Sequence, residues 1–328
     1  MRASNELSAW LDAPEVRAHS AGAVENFGKR FRQRPEFVRL EAELDGVSTG
    51  AEALAAGSRF FTDKDAVARA VEEMAAEVEK DRFFRPPFRT PLSPIHYGLI
   101  LFDHPALSLM LAVLSRDALG AKRTFADGAR SISFGGQQTV FHFIRSGGAN
   151  LSFWEAPEIG GDFVGSDALR CRCVSRRQIA DGESIRVDGR REAFVIDHAS
   201  SDMVYIQALT TLESAPLMAE YDSERHQFVG ASSTDDLGCR AGMMLSLLRL
   251  MDRSDAAPLF AELTRTGHFN SRWHAMREFL ALDAQAALPH LSAMAEADPH
   301  PEVRAAAAQT LAAFFPEPAE REDMLCPA

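Results

Sequence analysis

Few residues in this chain have the types and spacing that chemistry needs, and most of them fall between about 128 and 212. His142, set in Phe141-His142-Phe143, and Glu155 offer an imidazole and a carboxylate, donors that suit iron, manganese or zinc. His198 is the third candidate ligand, and Glu192 can complete the set. Arg145, Arg190 and Arg191 carry planar guanidinium groups able to clamp an anion bidentately. Tyr205 and Gln207 add a phenol and an amide that could face a bound molecule. Each has a plainer reading: His142 as a hydrogen-bonded side chain within the fold, His198 as an exposed residue near a turn, the arginines as surface charge at a hairpin end. Four cysteines are present, Cys171, Cys173, Cys239 and Cys326. A lone Cys-x-Cys falls short of the roughly four ligands of a structural zinc site, so reduced thiols are expected. The sequence holds no Gly-x-Ser-x-Gly elbow, Walker loop, His-Glu-x-x-His or dinucleotide fingerprint. It names no reaction and no substrate.

The elements that must position these residues read as short strands joined by glycine-marked turns. Gly147-Gly148 predicts a hairpin over 139–155, and Asp188-Gly189 a second over 184–197. Period-two alternation then places Val140, His142, Ile144, Leu151, Phe153 and Glu155 on one face, with Phe141, Phe143, Ser152 and Trp154 on the other. In the second hairpin Glu192, Phe194, Ile196 and His198 share a face, which Tyr205 and Gln207 join after a turn at Ala199–Asp202. Earlier, Tyr97–Phe102 reads as a strand and so does the apolar run Leu107–Leu114.

This pattern, with the stretch Asp181-Gly182-Glu183-Ser184-Ile185-Arg186-Val187-Asp188-Gly189-Arg190-Arg191-Glu192, resembles the cupin superfamily over about residues 95–212. The resemblance implies an antiparallel double-stranded β-helix barrel. The metal-binding cupin motif has a His-x-His pair with a nearby Glu, and a further His in its second half. This chain offers only His142, with Glu155 much further along, and Arg190, Arg191 and Glu192 stand where the later histidine would be.

The barrel is flanked by helical sequence. Leu7, Trp10 and Leu11, then Val16, Val24, Phe27 and Phe31, then Phe37, Leu40 and Leu44 recur at helical spacing. Thr62-Asp63-Lys64-Asp65 reads as a capping box for a helix carrying Val67, Val71, Met74 and Val78. Prolines 86, 87 and 91 make the following segment an extended connector, tacked onto the barrel by its phenylalanines. Beyond Asp235, Met243, Met244, Leu247, Leu248 and Met251 form an apolar stripe expected in a core. A similarity then recurs at a period of about 31 residues. Its last unit, Asp298–Leu311, resembles a HEAT repeat, with Val303, Ala307 and Leu311 facing the neighbouring helix and Arg304 reaching carboxylates between repeats; the resemblance spans about 236–315.

The fold class expected is therefore α+β: N-terminal helices over 1–90, a cupin-like barrel over 91–232, HEAT-like repeats over 233–316 and a flexible tail over 317–328. A formal net charge of −12 argues against a nucleic-acid partner. No apolar run spans a bilayer and no secretory signal opens the chain, so a cytoplasmic protein is expected. HEAT-like arrays present protein-binding surfaces. The function expected is a non-catalytic barrel that binds a small molecule or peptide, coupled to a tail that binds another protein. The alternative is a divergent metal-dependent oxygenase or isomerase using His142 and Glu155, with iron, manganese or zinc as cofactor.

Overall fold

The computed structural model describes residues 5–93, 95–125, 131–161, 163–164 and 169–315. The tail over 317–328, with Cys326, lies outside the described residues. The chain forms two compact units, Met1–Ile132 with Gln137–Ala156 and Arg172–Ser214, and Ser133–Gly136 with Pro157–Cys171 and Ala215–Ala328. This division departs from the one drawn along the sequence. The N-terminal helices share a unit with the barrel, and the last strands go with the helical repeats.

In the first unit, five helices precede the sheet: α1 (Asn5–Leu11), α2 (Pro14–Arg32), α3 (Pro35–Leu44), α4 (Gly50–Thr62) and α5 (Lys64–Lys80). Prolines 14 and 35 sit at helix starts, where a missing amide hydrogen costs nothing. Asp63, not Thr62, caps α5, its carboxylate accepting from the Ala66 amide, because α4 runs on through Thr62. The connector's Phe84 and Phe88 pack edge-on against Phe27 of α2, so the phenylalanines tack it to the helices rather than to the barrel.

The strands are β1 (Leu92–Ser93), β2 (His96–His104) and β3 (Leu107–Leu114); then, after α6 (Arg116–Phe125), β4 (Ser131–Phe134), β5 (Gln138–Arg145), β6 (Asn150–Glu155), β7 (Arg172–Gln178), β8 (Ser184–Asp188), β9 (Glu192–His198), β10 (Met203–Thr210), β11 (Leu217–Asp222) and β12 (Phe228–Ser233). The strands expected at 97–102 and 107–114 are β2 and β3. One sheet runs β1-β2-β3-β10-β5-β8 and a second β7-β6-β9, with antiparallel pairing. The order β3-β10-β5-β8 facing β7-β6-β9 is that of a double-stranded β-helix, which buries its interior between two Greek-key sheets. The fold class read from sequence is thus the observed one.

Both predicted hairpins are wrong in their pairing. β5 pairs with β10 and β8, while β6 pairs with β7 and β9; likewise β8 and β9 lie in different sheets. The glycine-marked turns are corners that carry the chain from one sheet to the other. Gly147 and Gly148 both take positive φ, which a corner and a two-residue hairpin loop require alike, so the turn signal does not separate them.

The six-stranded sheet is apolar on both faces. Its inner face, with Phe143, Met203 and Tyr205, packs against Leu151, Phe153 and Phe194 of the smaller sheet. Its outer face, with Leu107, Leu109, Val140 and Ala208, packs under the helices, and Gly57 of α4 lets the two backbones close on Leu107 and Ala208.

In the second unit β11, β12 and β4 form a three-stranded sheet around Phe134, Tyr221 and Phe228. The helices that follow are α7 (Asp236–Leu250), α8 (Ala257–Leu263), α9 (Phe269–Leu282), α10 (Ala284–Ala297) and α11 (Pro301–Phe314). Pro301 opens α11 as read, and Val303 and Ala307 are buried with Leu311 packed beside them. Arg304 differs from expectation: it donates to the carbonyls of Asp298 and Pro299, and the charge pairing falls instead to Arg272 and Asp298.

Candidate functional site

The structure does not bring the candidate ligands together. His142 lies on the outer face of the six-stranded sheet, its Nδ1 2.9 Å from Ser184 Oγ and its ring stacked on Phe61. Glu155 ends β6 in the other sheet, where Arg172 donates to it at 2.5 Å. His198 is exposed at the far end of that sheet, opposite Asn150, whereas Glu155 stands opposite Glu192. Strand rise puts those two ends about 17 Å apart. Glu192 accepts from the Asp188 amide. Among the described residues no three His, Cys, Asp or Glu side chains are grouped so as to hold a metal ion. The set His142, Glu155 and His198 therefore does not fit a metal.

The other candidates disperse similarly. Tyr205 is buried inside the barrel between Phe141 and Phe143, and burial pushes its phenol up to about 12. Gln207 shares that face two residues on, paired with Phe141 and Met110. The anion clamp does not form: Arg190 is held by both oxygens of Asp188, Arg191 lies 4.0 Å from the same carboxylate, and Arg145 is at the opposite end of β5. The predicted faces fail at the corner. Phe141 and Phe143, not His142, share the interior with Leu151 and Phe153, because the turn changes sheets and shifts register at Asn150–Leu151.

Two concavities are built instead. In the first unit a cleft of about 660 Å³ opens between α5 and the uncovered end of the outer sheet face. Leu111, Val204 and Ile206 form its floor, Phe61, Val67 and Val71 its helical wall. Val71 is 44 % exposed, since it faces this opening. His142, Asp181 and Glu72 supply polar groups. The Ser146 amide and hydroxyl, aided by the Arg145 charge, hold the Asp181 carboxyl below its usual range.

In the second unit a groove of about 650 Å³ runs along α7, α9 and α11, walled by Met243, Phe269, Trp273 and Val303. Gly242 makes the close α7–α9 approach possible: a Cβ there would stand 2.9 Å from the His274 ring, whose Nε2 lies 3.3 Å from the Gly242 carbonyl. Arg277 lines the groove without an acidic partner among the described residues. Trp273 and Arg277 also line a second hollow, of about 540 Å³, that reaches Phe314. Of the methionine stripe of α7 only Leu248 packs against the core, and it does so partly buried. Met243, Met244, Leu247 and Met251 are 64, 59, 48 and 56 % exposed, and only Leu245 of this helix is buried. The sequence displayed the stripe but not its direction, because α7 turns Gly238, Gly242 and Leu245 toward its neighbours.

No helix among the described residues is long and apolar enough to cross a membrane, and Cys171, Cys173 and Cys239 are not joined in disulfides. No curated protein matches the sequence. Solved structures similar to the chain include an ectoine synthase from P. lautus, at 14 % identity over 37 % of this chain and 67 % of that one, TM-score 0.23. A cupin domain from Bordetella pertussis Tohama I aligns at 13 % identity over 37 % of this chain and 98 % of that one, TM-score 0.22. A sugar phosphate isomerase of the cupin superfamily from Silicibacter pomeroyi aligns at 9 % identity over 46 % and 90 %, TM-score 0.23. Such scores carry no argument, and the barrel rests on its own strand order. Residues 232–312 match the family described as HEAT repeats, and the stacked helices α7–α11 are those repeats.

Proposed function

We propose that this chain is a non-catalytic, cytoplasmic binding protein that takes a peptide segment of another protein along the α7–α9–α11 groove, with the barrel as its folded support. The observation that carries the proposal is the groove itself, where Trp273 and Met243 stand beside an Arg277 with no acidic partner among the described residues. Buried aromatic and arginine side chains are the groups that dominate protein recognition. HEAT-like arrays stack helices into an extended surface, and an array normally ends in a helix with a polar outer face. Here the first helix, α7, ends it with methionine and leucine turned outward, a flexible apolar face that adapts to a partner. The non-catalytic reading is supported by the dispersal of His142, Glu155, Glu192 and His198 over two sheets.

Selection of displayed peptides on the full-length chain, followed by calorimetry, tests this. Enriched peptides with apolar anchors are expected, weakened about thirtyfold or more by Trp273→Ala, as for a hot-spot residue. Arg277→Glu, at an exposed position, should weaken them without touching the fold. Peptides that bind both variants as well as wild type, or a library that yields no enrichment, would overturn the proposal.

A further inference from the structure

The cleft of the first unit is independent of the repeat groove, and its walls specify a ligand. Leu111 of β3, Ile206 of β10 and His142 of β5 line the cleft as lateral neighbours by strand register, and Ser184 of β8 continues the row beside His142. The row grades from apolar to polar over three strand spacings, about 14 Å. Val71 of α5 also lines the cleft, and a volume of about 660 Å³ falls in the range of small-molecule pockets.

The charged groups settle which head the polar end prefers. Asp181 accepts from the Ser146 amide and hydroxyl through Oδ1 alone, which leaves Oδ2 without a partner among the described residues. Glu72, on the helical wall, has no ion pair among them either. The opposing charge is Arg145, next along β5 from Ile144. Two carboxylates against one guanidinium leave a negative balance beside an apolar slot. Placing a carboxylate or phosphate there would bring like charges together, whereas a cation is attracted.

We propose that this cleft binds an amphiphile with a hydrocarbon body and a cationic amine head, the chain lying over Leu111 and Ile206 and the head between Asp181 and Glu72. Because the cleft is on the outer face of the barrel, the filled interior does not obstruct it. Titration calorimetry of the full-length chain with n-octylamine, n-octanol and n-octanoate at neutral pH tests the proposal. Octylamine should bind at one site about tenfold or more tighter than octanoate, with octanol between them. Glu72→Lys, at an exposed helix position, should lower octylamine affinity about tenfold and narrow the gap to octanoate. Val71→Trp, also exposed, should weaken all three by filling the slot. Octanoate binding as tightly as octylamine, or an unchanged octylamine affinity in Glu72→Lys, would overturn the assigned head. Saturable binding of none of the three would overturn the cleft as a ligand site and leave it as a packing face for another chain.

Discussion

Removing the Arg272 side chain should open the repeats more than any surface change of equal size. Its guanidinium donates to both oxygens of Asp298, at 2.8 and 2.7 Å, and to the Gly267 carbonyl at 2.8 Å. Only 9 % of Arg272 and 7 % of Asp298 remain exposed. Each charge-assisted bond contributes ~1.5–3 kcal/mol, and breaking a buried pair from one side strands the other charge, so Arg272→Ala should cost ~3–5 kcal/mol. At 1.4 kcal/mol per tenfold, amide protection in α9, α10 and α11 should drop by about two to nearly four orders of magnitude. Hydrogen exchange read by mass spectrometry on the full chain measures this directly. The control is Arg249→Ala, whose 2.6 Å pair with Glu278 is more open to solvent and should cost only ~0.5–1 kcal/mol. The pH dependence has a definite sign. Burial raises the Asp298 carboxyl, but the Arg272 guanidinium and the His300 amide outweigh it and hold the group below its usual range. A folded value below the unfolded one, ~3.9, means the contribution is complete above about pH 4 and is lost as pH falls through the folded value. A loss of protection below tenfold in Arg272→Ala, or the same acid dependence in variant and wild type, would refute this reasoning.

Three further outcomes are expected. Gly147→Ala should lower the urea midpoint of the barrel unit by more than Gly182→Ala: both positions have positive φ, but a Cβ on Gly147 would meet the Ser201 carbonyl at 2.4 Å while Gly182 faces open space. Strain alone sets the second at ~1 kcal/mol, and equal effects would deny the corner its tight packing. Tyr205→Ala should cost ~3–5 kcal/mol by emptying part of the barrel interior. Since the buried phenol stays neutral to about 12 while an unfolded one ionises near ~10, wild-type stability should fall as pH rises above ~10, and Tyr205→Phe should remove that component in alkaline urea titrations. Metal content of protein purified without chelator should be the same in wild type, His142→Ala and Glu155→Ala; a metal lost in either variant would show that the two sheets rearrange to share a site.

Strand positions were legible where turn residues bounded an apolar or alternating run, as for β2, β3 and β9, and the HEAT-like signature of Asp298–Leu311 located α11 to within its proline. What failed was the pairing of strands. Gly147-Gly148 and Asp188-Gly189 report a tight reversal of backbone, and a double-stranded β-helix reverses its chain between sheets as often as a hairpin does within one. The error then propagated: assuming the pair β5–β6 placed His142 with Glu155, although Ile206 and Ser184 are the neighbours His142 meets. Direction was equally hidden for α7, where the stripe of Met244, Leu247 and Met251 is apolar whichever way the helix turns. Only the glycines at 238 and 242, which admit α9 on the opposite side, indicate that the stripe faces out.

The same sheet shows what fills the barrel interior. Phe141, Phe143, Phe153, Phe194 and Tyr205 approach one another with ring centroids 5.0 to 6.4 Å apart, so aromatic packing takes the place that polar groups would need. A sheet so filled on one side still has an apolar second face, and α4 covers only the end that carries Leu107, Val140 and Ala208. The uncovered end holds Val113, Val204 and Ile144, of which Val113 and Ile144 are each 37 % exposed. Extending the helical cover by a turn would have closed this face and added burial at ~25 cal/mol per Å². The chain instead places His142, Asp181 and Glu72 around it, polar groups that gain nothing from an apolar seal. A closed face is the arrangement stability alone would favour, and the open, acid-lined one is what a ligand needs.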